Sequence, residues 1–368
     1  MAHRTSHIAH FKLFDKLEVS FKNKTLEEIS NRFLVLGDNG AGKTTLLQAI
    51  ALPLALATRQ IRSVDEFDWI GFVPGRFLRW GPPRIELVVS FTNDEIEATR
   101  VIAHRWYEAQ SEDFRIGHPY IERGNNARVR LVMEGQYCHA DTHAEYRQFE
   151  GRYLAQQLLK TDPTIRSEFS QLPGLFWFDQ FRNLGSSMYA FEGNGNGEHE
   201  GSGRIAYDFG VARLQKYLNG WQLAQLSSGR SFVVDYLEQL KTLYKRVFPN
   251  RTFAGVEPMP GVDSPTAEDF YFLFNDGRRL YDLVEMSAGE QAVFPILYEF
   301  VRQQISNSVV LIDEVDLNLH PPAAQLLVSQ LPKIGPTCQF ILTTHSDAVS
   351  SLIGDDETLR LPGGSLCL

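Results

Sequence analysis

The apolar residues of this chain fall into distinct spacings. From His7 to Phe21 they alternate with polar residues, through Phe11, Leu13, Phe14, Leu17, Val19 and Phe21, and predict a hairpin or two short strands. Phe33-Leu34-Val35-Leu36 is instead unbroken, as in a strand covered on both faces. It leads through a glycine-rich turn into a helical stretch from Thr44 to about Gln60, which Pro53 is expected to kink or end. Residues 84–91, Glu97–Tyr107 and Ala127–Glu134 read as antiparallel strands of a β-rich subdomain. Leu175 to Asn183 is a dense aromatic run that predicts a buried strand ending in polar groups. Helical spacing returns at Val211–Tyr217 and Ser231–Phe248, and a β-pair is expected at Glu268–Asn275 and Arg279–Val284 around the turn Asp276-Gly277. A helix from about Gln291 to Gln304 and apolar strands at 308–312 and 340–344 close the pattern, which is that of an α/β protein.

That pattern places the chemistry. Gly37, Asp38, Asn39, Gly40, Ala41, Gly42, Lys43 and Thr44 fit G-x-x-x-x-G-K-[ST], with Thr45 next, between the required strand and helix. Glycines let backbone N–H groups turn inward as an anion nest, and the helix points its positive end at the same phosphates. Lys43 is expected to reach the β- and γ-phosphates of a nucleoside triphosphate, and the Thr44 hydroxyl to ligate Mg²⁺. Ser287, Ala288, Gly289 and Glu290 put small residues before a second helix, a further phosphate-sized site. The strand Ser308–Ile312 ends in Asp313 and Glu314, placed to hold Mg²⁺ and to deprotonate the attacking water. Gln180, at the end of the aromatic strand, is a candidate for coordinating the metal or holding that water.

Composition narrows the class. At 368 residues, 43% hydrophobic and 22% charged, the chain can bury a large core and is expected to divide into subdomains. The divisions expected are 1–190, carrying the phosphate loop and β subdomain, 191–285, a Gly/Asn-rich loop plus helical subdomain, and 286–368, the remainder of the nucleotide-binding lobe. Residues 192–203 are too polar and glycine-rich to pack. No apolar run is long enough to span a bilayer and the first residues do not resemble a secretion signal, so a cytoplasmic location without membrane contact is expected. Cys138, Cys338 and Cys367 are spaced for neither a disulfide framework nor a zinc shell. A net charge of −9 confines any contact with DNA to a local patch.

The order of these features, with a phosphate loop at 37–44, Gln180, Ser-Ala-Gly-Glu at 287–290, Asp313-Glu314 and a strand ending in His345, resembles ATPases of the ABC superfamily. Asp313-Glu314-Val315-Asp316-Leu317-Asn318-Leu319-His320-Pro321 and Leu342-Thr343-Thr344-His345-Ser346 are similar to the non-transporter RecF, SMC and OLD-like branch. The resemblance implies a P-loop NTPase with a mixed central sheet, an antiparallel β subdomain and a helical signature subdomain. It implies a homodimer or higher self-assembly, with ATP on one chain covered by Ser287–Glu290 of another, Asp316 at the seam and His345 on the γ-phosphate. Met286 and Ala288 depart from the commonest signature, Leu-Ser-Gly-Gly. The short stretch after His345 and the limited span between Gln180 and Ser287 lead one to expect neither the nuclease domain of OLD-type proteins nor long coiled-coil arms. The chain therefore resembles the compact ATPases of bacterial antiphage systems, Septu (PtuA-like) or retron-associated, which act with a separate effector such as an HNH nuclease or a toxin. A RecF-like DNA-repair ATPase is the alternative, and a transporter ATPase a weaker third.

Overall fold

The computed structural model describes residues 1–79, 81–179, 203–228 and 235–362. Strands β1 (Ala2–Phe11) and β2 (Phe14–Ser20) form the expected hairpin, paired from Thr5↔Ser20 to Phe11↔Phe14. β3 (Arg32–Leu36) feeds helix α1 (Lys43–Ala57). Pro53 does not end α1, which runs on for four residues, Leu54–Ala57. Next come β4 (Arg84–Ser90), α2 (Asn93–Glu108), α3 (Glu112–Gly117), β5 (Arg128–Glu134) and β6 (Tyr137–Ala140).

Glu97–Tyr107, expected as a strand, lies inside α2. Thr92 and Glu95 start the helix with a capping box: Thr92 Oγ1 accepts the Glu95 N–H at 3.3 Å, and Glu95 Oε2 accepts the Thr92 N–H at 2.9 Å. The β-branched residues at 96–102 obey helical periodicity once that start is set, because Ile96, Thr99, Ile102 and Ala103 share the buried face.

The chain continues through α4 (His143–Tyr146), α5 (Gly151–Leu159), β7 (Gly174–Phe178), α6 (Gly203–Ser228) and α7 (Tyr236–Val247). β8 (Thr252–Pro258), β9 (Phe270–Asn275) and β10 (Leu280–Asp282) follow, then α8 (Ala288–Arg302). Last come β11 (Ser308–Ile312), α9 (Pro321–Ile334), β12 (Gln339–Thr344) and β13 (Thr358–Arg360). The Gly/Asn-rich segment 192–203 lies outside the described residues except for Gly203. Among the described residues no helix is long and apolar enough to cross a membrane.

Two compact units interleave along the sequence. The first takes residues 1–180, 304–316 and 331–368. It holds an antiparallel sheet of order β2-β1-β4-β5-β6 and a parallel sheet of order β13-β3-β12-β11-β7. Helix α1 touches both sheets, contacting β1, β4, β5 and β6 on one side and β7 and β12 on the other. Its near-unbroken apolar sequence follows from that position, since a helix covered on all sides needs no polar face. Leu46, Leu47, Ile50, Leu52 and Leu54 are fully buried, each contributing about 1.5–3 kcal/mol by leaving water.

In the parallel sheet Leu36 pairs with Thr344, Leu342 with Ile312, and Ile312 with Phe178. The carboxyl ends of β3, β12, β11 and β7 therefore share one edge, where open α/β sheets bind ligands. The second unit, residues 181–303 and 317–330, contains α6, α7, α8 and the antiparallel sheet β10-β9-β8. Asp276-Gly277 makes the expected turn between β9 and β10, with Gly277 at φ +87°. An aromatic cluster of Tyr244, Phe253, Phe272, Phe274 and Phe294, with ring centroids 5.1–6.1 Å apart, fills this unit.

Candidate active site

Four segments of the first unit meet at the shared strand edge. Gly37–Thr44 leaves β3 and turns into α1 through Gly40 at φ +81° and Gly42 at φ +98°, left-handed conformations that glycine takes without strain. Gly42 is constrained twice, because a Cβ there would sit 2.7 Å from Phe14 Cζ and 3.0 Å from Leu13 Cδ2. The tip of the first hairpin thus packs directly on the loop. Asp38, Asn39 and Gly40 are exposed, and the Ala41 N–H donates to Asp38 O at 3.1 Å. Lys43 is 6% exposed, its Nζ donating to Gly37 O at 2.8 Å and Asp38 O at 3.2 Å. Its ammonium lies over the loop that its motif implies it serves.

The carboxylates arrive on β11. Asp313 is 1% exposed; Thr44 Oγ1 donates to its Oδ2 at 2.7 Å and Thr343 Oγ1 to its Oδ1 at 2.6 Å. Phosphate loop and strand acid are thereby joined by a direct hydrogen bond. The Glu314 N–H donates to Thr343 Oγ1 at 2.7 Å, and Glu314 adopts φ +46°. A left-handed glutamate costs about 1–3 kcal/mol and persists only where its surroundings enforce it. Here the Thr343 hydroxyl holds it. One residue on, Thr344 Oγ1 donates to Asp316 Oδ1 and accepts the Ser346 N–H at 2.9 Å. His345, between these anchors, is exposed. Gln180 lies outside the described residues.

Ser287 to Glu290 belong to the second unit. Ser287 caps α8, its N–H donating to Glu290 Oε2 at 3.0 Å and its Oγ accepting the Glu290 N–H at 3.4 Å. Ser287 is exposed and Gly289 half-buried, whereas the Glu290 side chain turns inward and is 1% exposed.

Thr343 and Thr344 did not stand out in the sequence as site residues. The available signal was two hydroxyls ending an otherwise apolar strand, Gln339–Thr344, directly beside the acid-bearing strand. Thr343→Val keeps the shape and removes both hydrogen bonds. It is expected to lower turnover about a hundredfold through misplacement of Asp313 and Glu314, with Thr343→Ser restoring it. Steady-state phosphate release measured beside a fluorescent-nucleotide titration checks this; a native rate in the valine variant would mean that the two acids are held by other groups.

A parallel sheet whose strand ends carry a phosphate loop, a Thr44–Asp313 pair and a constrained Glu314 defines a P-loop nucleoside triphosphatase. Residues 206–351 match the family described as "AAA domain, putative AbiEii toxin, Type IV TA system". The "Retron Vc95 probable ATPase" of Vibrio cholerae serotype O1 biovar El Tor is 30% identical over 387 residues, spanning 94% of this chain and 71% of that protein. The "Retron Ec83 probable ATPase" of Escherichia coli is 30% identical over 93 residues, 22% of this chain and 17% of that one. The chain belongs to the retron ATPase family that the Vibrio protein represents, and it is an ATPase. Solved structures that resemble it include the SMC head domain from Thermotoga maritima, at 16% identity and TM-score 0.44 over 95% of this chain and 92% of that one. An Smc head domain bound to the C-terminal domain of ScpA derived from Pyrococcus furiosus gives 13% identity and TM-score 0.44, over 95% and 91%.

Proposed function

We propose that this ATPase closes around ATP as a dimer of identical chains and that closure controls an associated effector, most simply a nuclease, in antiphage defence. The observation that carries the reading is the division of labour between the units. Lys43, Thr44, Asp313 and Glu314 assemble in the first, whereas the exposed cap Ser287 belongs to the second, on a helix N-terminus suited to phosphate. A second copy supplying Ser287 completes the site. The kinship with a retron ATPase supports the defence setting.

Mg²⁺ fits the residues present. The Thr44 hydroxyl and Asp313 carboxylate are hard oxygen donors 2.7 Å apart, with Asp313 fixed on its other oxygen by Thr343. Those two residues would hold the ion, which neutralises charge developing on the transferred phosphoryl group. Lys43 binds the β- and γ-phosphates and the loop N–H groups cradle them. Glu314 accepts the proton of the attacking water as its oxygen bonds to the γ-phosphorus and the bond to the β-phosphate oxygen breaks, releasing ADP. His345, exposed directly after Thr344 at the end of β12, orients the γ-phosphate. The setting is the cytoplasm.

Ser287→Arg is expected to leave ATP binding to the single chain intact, to keep the ATP-loaded protein monomeric in sedimentation velocity, and to reduce turnover about a hundredfold. Equal loss of binding and turnover would place Ser287 in the same chain's pocket and end the dimer reading. For the effector, affinity purification of the chain expressed with its genomic neighbours, in ATP and in ADP, followed by mass spectrometry, should recover a nuclease or toxin. Recovery of the chain alone in both nucleotides would remove the defence part of the proposal.

A further inference from the structure

Capping α8 requires only Ser287 and Glu290, yet the Glu290 carboxylate collects donors from three further elements. Tyr244 of α7 donates its hydroxyl to Oε1 at 2.6 Å, and Tyr281 of β10 donates to the same oxygen at 2.5 Å. Arg251, just before β8, reaches Oε2 at 2.6 Å and also donates to the Tyr281 hydroxyl at 2.8 Å. The Ser287 Oγ–H donates a hydrogen bond to Oε2 at 2.7 Å, and the Ser287 N–H adds a second at 3.0 Å. Burial pushes the Glu290 pKa up, but the hydroxyl donors outweigh it and leave the carboxyl below its ordinary range. Tyr244 and Tyr281 are pushed up, by burial first and then by their bonds to Glu290.

A serine hydroxyl carries one proton. While that proton points at Glu290, Ser287 offers an approaching phosphate only lone pairs, so donation to phosphate requires the hydroxyl to rotate away. The carboxylate then loses a donor in a site that water does not reach, a severe cost for a buried charge held by the cap alone. Two phenols and a guanidinium that stay in place remove that cost.

We infer that Tyr244, Tyr281 and Arg251 are positioning residues that hold Glu290 so that Ser287 can turn its hydroxyl to the terminal phosphate of a nucleotide carried by a second copy of this chain. This rests on the dimer reading above. It also makes α7 and the β8–β10 sheet part of the closing apparatus.

The test uses the full chain with Tyr244→Phe and Tyr281→Phe combined, in the Ser287 and the Ser287→Ala background, reading phosphate release against chain concentration and fluorescent-ATP binding to the chain. The double variant should bind nucleotide as the native chain does and raise the concentration for half-maximal turnover about tenfold, one lost charge-assisted hydrogen bond or more. In the Ser287→Ala background that shift should vanish, because the tyrosines act through the serine. The same shift in both backgrounds, or no shift in either, overturns the inference. Turnover per chain that is independent of concentration in the native protein would instead remove the dimer reading, and this inference with it. If the double variant does not fold, Arg251→Gln, at a side chain 30% exposed, is read in the same two backgrounds with the same criteria.

Discussion

Glu314→Gln is expected to bind ATP as the native chain does, to hydrolyse it about 10²–10⁴-fold more slowly, and to accumulate as an ATP-bound dimer. The expectation follows from how narrowly the substitution acts. The backbone of residue 314 is fixed at φ +46° by the hydrogen bond from its N–H to Thr343 Oγ1, and glutamine keeps that backbone and nearly the same side-chain volume. Asp313, with its two threonine partners, is untouched. What disappears is a carboxylate able to take a proton from water. Quench-flow hydrolysis and sedimentation velocity with ATP measure both consequences; hydrolysis at the native rate would assign the proton to another acceptor.

Lys43→Ala attacks the preceding step. The ammonium is buried against the loop, with Gly37 O and Asp38 O as its partners, in a position that a neutral methyl cannot reproduce. With ATP bound the ammonium would pair instead with phosphate; removing one member of a buried hydrogen-bonded charge pair costs about 2–5 kcal/mol, and each 1.4 kcal/mol is about a tenfold loss of affinity. ATP titration should therefore show binding weakened by orders of magnitude, with dimer formation lost as a result. Retained affinity in the alanine variant would mean that the backbone nest alone holds the phosphates.

How far the sequence discloses this protein depends on how far apart its interacting residues lie. The phosphate loop is legible because strand, loop and helix are contiguous, and the motif constrains all three at once. The Asp313-Glu314 strand and the Asp276-Gly277 turn are legible for the same reason. Glu97–Tyr107 misleads because β-branched residues favour strands, whereas the deciding signal, Thr92 with Glu95, lies just outside the stretch. Pro53 misleads because a proline penalty is a local prior, and burial of α1 between two sheets overrides it. The partners of Glu290 cannot be read at all from position. Tyr244 stands 46 residues before it and Tyr281 nine, on elements whose pairing is a product of the fold. Thr343 is intermediate, since its type is visible but its two partners appear only when β12 is placed beside β11.

The position of β3 sets a timetable for the nascent chain. Its two neighbours in the parallel sheet are β12 and β13, so the strand that carries the phosphate loop has no sheet partner until the chain has been made past Thr344. From Leu36 to Thr344, at about 5–20 residues per second, the ribosome takes roughly 15 to 60 s. Throughout that interval Phe33–Leu36 and the apolar α1 segment lack their final cover. A chain released before Thr343 lacks β12 and with it the hydroxyl that bonds both Asp313 and the Glu314 N–H, so the phosphate-loop strand and the two acids become an assembled site only as the last strands emerge.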